Sequence, residues 1–206
     1  MILTALLLSS AALSAADKPL LGDAQAGQSK AQLCVACHGA DGNSVSPLFP
    51  KLAGQHAKYL SEQLHAFKLG AQGPRHSPNA AQMYGMAAGL SDQDIADIAA
   101  YYASQKVTVG TTAQSVLALG QALYRGGDTS KGVAACAACH GPNGRGNPQA
   151  GYPQVSGQHA AYTNGQLQAF ATAQRSTDTN EVMRALAIKL SPADMEAVAE
   201  YIQGLH

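Results

Sequence analysis

An excess of charge of either sign is missing from this sequence. Its 206 residues carry 13 Lys and Arg against 13 Asp and Glu. The balance also holds locally, with seven cations and seven anions in 17–110 and six of each in 111–206. That excludes the one-signed field on which nucleic-acid binding and adhesion to anionic membranes depend. A membrane span is missing too: the leading apolar run, Ile2 to Ala16, falls short of the roughly 20 residues needed to cross a bilayer. The small residues at its end suit cleavage before Asp17, so 1–16 reads as an export signal removed near Ala16. No Lys or Arg precedes the run, as an export signal would ordinarily have, and a start further upstream is expected. Finally, no cysteine is left over: all four fall in two short motifs, which excludes an independent disulfide framework.

What is present is one pentapeptide written twice, Cys34-Val35-Ala36-Cys37-His38 and Cys136-Ala137-Ala138-Cys139-His140. A Cys pair two residues apart with His directly following reads as a c-type haem attachment site. Two thiols on one helical turn reach the two vinyl groups of one haem, and the next side chain reaches its iron. A zinc half-site or a redox dithiol would use the same Cys spacing. Neither requires a His directly after both copies. Two covalently attached haems c are therefore expected, with His38 and His140 as proximal ligands.

The copies belong to a longer repeat. Cys136 follows Cys34 by 102 residues; Pro153 to His159 and Tyr162 follow Pro50 to His56 and Tyr59 by 103; Met183 through Ser191 follow Met83 through Ser91 by 100. Each unit predicts a helix running into the haem motif (from about Asp23 in the first), a turn-rich stretch, a helix from His56 to Leu69 or its counterpart, an irregular loop such as 70–79 delivering Met83, and a last helix. Ser91 with Asp94 and Ser191 with Asp194 mark the start of that last helix as capping boxes. Ile95, Ile98, Ala99 and Tyr102 then form a core stripe, mirrored by Met195, Val198, Ala199 and Ile202. The second unit carries an insertion that includes Gly126-Gly127-Asp128, expected as a surface loop. The expected division is a domain over 17–108, a short extended linker over 109–115 and a domain over 116–206.

The sixth iron ligand has two candidate pairs that recur in both units, Met83 with Met183 and His56 with His159. Met86 aligns with Leu186 and Met195 with Ile95, so the repeat removes both.

The double attachment motif, the following His-Gly-Xaa-Xaa-Gly, Pro50-Lys51-Leu52-Ala53-Gly54-Gln55-His56, Leu90-Ser91-Asp92-Gln93-Asp94-Ile95 and the ending Tyr201-Ile202-Gln203-Gly204-Leu205-His206 together resemble the dihaem cytochrome c4 family over essentially all of 17–206. The resemblance implies an all-α chain of two tandem class I cytochrome c domains facing each other across a pseudo-twofold. It implies His/Met iron in each, with Met83 and Met183 as the ligands. By similarity, the carbonyls of Pro50 and Pro153 would fix the second ring nitrogen of His38 and His140.

Iron with both axial positions filled has no site for a substrate and only passes electrons. The expected function is a monomeric periplasmic one-electron carrier, taking electrons from a redox-protein donor towards a terminal oxidase. Association with the membrane surface is left open. A dihaem redox enzyme with a labile axial Met, or the dihaem subunit of a flavocytochrome c-type sulfide dehydrogenase, is the alternative.

Overall fold

The computed structural model describes residues 20–70, 77 and 80–206. The expected leader and most of the loop before Met83 lie outside these residues. The first half contains α1 (Ala24–Lys30), α2 (Gln32–His38), α3 (Ala57–Lys68), α4 (Ala80–Ala87) and α5 (Asp92–Ala103). The second contains α6 (Gln114–Gly126), α7 (Ala137–His140), α8 (Ala160–Ala171), α9 (Val182–Ala187) and α10 (Pro192–Gly204). Among the described residues there is no β-strand, only the isolated bridges Asp128–Val133 and Asn147–Tyr152. None of the described helices is long and apolar enough to cross a membrane.

Each half is closed by its first helix crossing its last. The crossing is tight because a glycine lies at the contact: a Cβ on Gly27 would overlap the carbonyl oxygen of Asp97, and one on Gly120 that of Ala197. Beneath the crossing the two halves fill the same space from opposite sides. The first half puts Ala31 against Tyr102 of α5, and the second puts Tyr124, at the position of Ala31 in the repeat, with Ile202 of α10; all four are buried.

Charge is handled in the same paired way. Asp23 caps α1 through Gln25 N and Ala26 N, and its own N–H donates to Asp97 Oδ1 at 2.8 Å. Lys30 Nζ reaches Asp97 Oδ2 at 2.6 Å and Asp94 Oδ1 at 2.7 Å. Helix α6 has Leu123 where α1 has Lys30, and the insertion restores the cation: Lys131 Nζ lies 2.7 Å from Asp194 Oδ2. The insertion is thus more than the expected surface loop. Its tip is exposed, but the Asp128–Val133 bridge turns Val133 into the core of the second half.

These carboxylates titrate low. The Lys30 ammonium holds Asp94 well below its ordinary value, the Asp23 N–H and then Lys30 lower Asp97, and Lys131 lowers Asp194. A depressed carboxylate stabilises the fold fully above its unfolded value and loses that contribution as pH falls through the folded one. Urea midpoints of the holoprotein are therefore expected to be insensitive to these groups between neutral pH and about pH 5, then to fall steadily below about pH 4.

Among the contacts between the halves, one is made twice. Gln55 Nε2 donates to Gln154 O at 2.8 Å while its Oε1 accepts from Gln154 N at 2.9 Å. Gln158 does the same to Lys51, at 2.9 Å for each bond. Gln158 is the repeat partner of Gln55 and Gln154 that of Lys51, so the contact is pseudo-twofold. Residues 106–113 join the halves without regular structure. They are fastened to the first half by Asn43 and Lys51 (Thr108 N to Asn43 Oδ1, 2.8 Å) and to the second by Gln203 (Gly110 N to Gln203 O, 2.9 Å). Gln55→Ala or Gln158→Ala removes two partners from half-buried backbone groups and is expected to lower the denaturation free energy of the whole chain by about 1–3 kcal/mol, read from urea unfolding.

Candidate functional site

In each half a helix ends at the haem motif and the chain then doubles back under it. Helix α1 stops at Ala31 rather than running unbroken into the motif, and α2 starts afresh at Gln32; α7 is a single turn. Gly39 (φ 81°) and Gly141 (φ 79°) cap these helices in a backbone conformation that a Cβ would strain. The carbonyl of Gly42 accepts from Leu52 N (2.7 Å) and Ala53 N (3.1 Å), and that of Gly144 from Val155 N (2.7 Å) and Ser156 N (3.0 Å). This pins the Pro-containing loop beneath the histidine. Gly54 N to Tyr102 O and Gly157 N to Ile202 O anchor its far end on the last helix.

The consequence is an identical setting for two imidazoles. His38 Nδ1 donates to Pro50 O at 2.9 Å, and His140 Nδ1 donates to Pro153 O at 2.9 Å. With Nδ1–H committed, Nε2 is the nitrogen left to coordinate a metal. Burial lowers the pKa of both rings against the opposing pull of the proline carbonyls, which keeps them in the neutral form a metal requires. Phe49 and Tyr152, repeat partners, flank the rings at 6.2 and 6.4 Å between centroids.

Cys34, Cys37, Cys136 and Cys139 are partly buried, and none is joined to another in a disulfide. Burial pushes Cys34 up and Cys136 up to about 11. Cys34, Leu52 and Leu64 each pack against the first core, and Cys136 and Met183 each pack against the second. A pair of thiols one helical turn apart, followed by a neutral imidazole with a free Nε2, is the donor set that a covalently attached haem requires.

Met83 and Met183 are half-buried, and both lie inside short helices, α4 and α9, rather than at the end of an irregular loop. The histidine candidates start helices: His56 and His159 occupy the N-caps of α3 and α8. His159 Nε2 donates across the interface to Ser44 O at 2.8 Å, with Ser44 Oγ at 3.0 Å. His56 Nε2 is buried without a hydrogen-bond partner among the described residues. The interface role of Gln55, Gln158 and His159 was not foreseen; its signal was the Gly-Gln-His written at the same place in both units.

Two helical halves, each with a Cys-Xaa-Xaa-Cys-His helix and a proline carbonyl under its histidine, define a c-type cytochrome with two cytochrome c domains in tandem. The family model for cytochrome c matches residues 24–106 and again 117–206. The chain is 50% identical over 189 residues to cytochrome c4 of Azotobacter vinelandii, covering 90% of each chain, and 50% identical over 186 residues to that of Pseudomonas aeruginosa, again 90% of each. Its fold matches the crystal structure of reduced recombinant cytochrome c4 from Pseudomonas stutzeri with a TM-score of 0.85 at 49% identity, covering 90% of this chain and 100% of that one. The chain belongs to the cytochrome c4 family: it is a dihaem electron-transfer protein with two covalently bound haem c groups.

Proposed function

We propose that this cytochrome is a periplasmic one-electron carrier, exported by a leader removed near Ala16, that takes electrons from a redox-protein donor and delivers them towards a terminal oxidase. In this reading the folded domains span 17–108 and 116–206 with 109–115 between them. Cys34 and Cys37 would hold one haem and Cys136 and Cys139 the other, with His38 and His140 as proximal ligands and Met83 and Met183 as the second ligand of each iron. When bound, each haem supplies one reversible one-electron couple. The chain's residues do the rest: the proline carbonyls hold each imidazole in one tautomer and orientation, and the thioethers favour the ferrous state and close the second face. The observation that carries the reading is that the whole constellation occurs twice in the same order, with no ligand type altered between units.

The balanced surface charge bears on docking. Without a one-signed patch there is little long-range steering, and contact depends on apolar surface such as the exposed Leu33, Val45 and Leu48 near the first motif. Ferrous protein mixed with oxidase-containing membranes of its host should be reoxidised in a cyanide-sensitive reaction, at rates changing by less than about threefold from low to physiological ionic strength. Absence of reoxidation would refute the oxidase as acceptor, and a rate that collapsed with salt would refute the docking mode.

A further inference from the structure

Among the described residues, a buried cation between the two domains pairs with no carboxylate. Arg175, on the segment between α8 and α9, is 6% exposed. Among the described residues its guanidinium donates to neutral oxygens: Nε to Thr177 Oγ1 at 2.9 Å, Nη1 to Gln166 Oε1 at 2.8 Å, and Nη2 to Tyr59 Oη at 2.7 Å and Gln63 Oε1 at 3.1 Å. Phe170 lies under it, 4.7 Å from ring centroid to Cζ. Tyr59 and Gln63 belong to α3 of the first domain; Gln166 and Thr177 belong to the second.

The described carboxylates that form salt bridges do so elsewhere. Asp178, the nearest acid along the chain, is taken by Arg184 Nε at 2.8 Å. The other titratable groups facing Arg175 are Tyr59 of α3 and Tyr162 of α8, and burial pushes the Tyr162 phenol up, away from the phenolate. A guanidinium held out of water by neutral partners alone is strongly disfavoured unless a charge of opposite sign completes the site. The covalent haems bring carboxylates with them, two propionates each. The repeat also writes an arginine at the corresponding place in the first unit, Arg75-His76-Ser77 against Arg175-Ser176-Thr177; Arg75 and His76 lie outside the described residues.

We propose that Arg175 is the interdomain binding residue for a haem propionate carboxylate, and that its charge holds up the reduction potential of the haem whose carboxylate it pairs. This rests on the attachment of two haems as proposed above. The sign follows from electrostatics: a fixed positive charge favours the ferrous centre, which carries one positive charge fewer than the ferric. It also keeps the paired carboxylate ionised across neutral pH, so the potential stays flat with pH.

The test is potentiometric titration of both haems between pH 5 and 8 in the wild-type holoprotein and in Arg175→Gln, Arg175→Lys and Tyr59→Phe. Arg175→Gln is expected to shift the one-electron equilibrium of one haem towards ferric by about tenfold at pH 7, which is about 59 mV for a one-electron couple. It should also make that haem's potential fall as pH rises, because the unpaired carboxylate now titrates. Arg175→Lys keeps the charge and should retain most of the wild-type potential. Tyr59→Phe removes a clasp bond without charge and should leave both potentials in place while lowering the unfolding midpoint. Unchanged potentials in Arg175→Gln, with only stability reduced, would overturn the proposal and leave Arg175 a structural clasp. If Arg175→Gln fails to mature, the wild-type titration decides: potentials of both haems that fall together between pH 5 and 8 would equally overturn it, because no carboxylate would then be held ionised by Arg175. Haem content measured on the same samples separates the two levels, since fewer than two haems per wild-type chain would defeat the attachment reading itself.

Discussion

A Met83→Ala variant is expected to turn one haem per chain high spin and open to carbon monoxide while the other stays low spin, and Met183→Ala to do the same in the second domain. Alanine offers no donor atom, and the neighbouring candidates are poorly placed to substitute. Met86 is exposed one turn further along α4, and its repeat partner is Leu186. His159 already spends Nε2 on Ser44 across the interface, so recruiting it would break that contact. His56 is the one rival with an unengaged nitrogen among the described residues. Because axial ligand identity moves haem potentials over about 0.8 V, loss of the thioether should lower the affected couple by on the order of 100 mV. Two low-spin haems surviving in Met83→Ala would transfer the ligand role to His56, and the matching result in Met183→Ala would transfer it to His159.

The largest effect on stability is expected at the helix crossings. Gly27→Ala places a methyl on the backbone carbonyl of Asp97, and Gly120→Ala on that of Ala197. Helix propensity favours alanine by about 1 kcal/mol, but overpacking against atoms that cannot rotate away costs about 3 kcal/mol or more, so the clash decides the sign. The net loss of about 2 kcal/mol corresponds to a drop in Tm of roughly 10 °C for a domain of this size. Gly165→Ala on α8 is the control, because a Cβ there meets nothing within 4 Å; it should leave Tm unchanged or raise it slightly. Thermal unfolding followed by Soret circular dichroism compares the three, and a Gly27→Ala protein as stable as Gly165→Ala would show that the crossing is not close.

The parts of this molecule read most directly from sequence are those whose chemistry is local. The Cys-Xaa-Xaa-Cys-His pentapeptides, the Ser91 and Ser191 capping boxes and the stripes of α5 and α10 each need only neighbours within a turn or two. What was not legible depends on distant partners. Nothing near Gln55 says that it will grip the backbone of Gln154, because that contact exists only once two copies dock. Lys131 looks like a loop residue until the insertion is seen to bring it to Asp194, replacing the lysine α6 lacks. The exchange of Ala31 and Tyr102 for Tyr124 and Ile202 conserves filled space rather than any residue, so no motif records it. Gly73-Pro74 and Ser77-Pro78 predict an irregular loop over 70–79 that delivers Met83, yet Ala80-Ala81-Gln82 restarts a helix before Met83 is reached.

The most direct test of the central claim, two closed six-coordinate haems dedicated to electron transfer, is exposure of the ferrous protein to carbon monoxide, with haem quantified on the same sample as the pyridine haemochrome. The expected result is two haems c per chain, a ferric spectrum with the weak long-wavelength band of methionine-ligated iron, and a ferrous spectrum that carbon monoxide leaves unchanged. A carbon monoxide adduct at either haem of the native protein would show an open iron, contradict the closed-site account and make a dihaem enzyme the function to pursue.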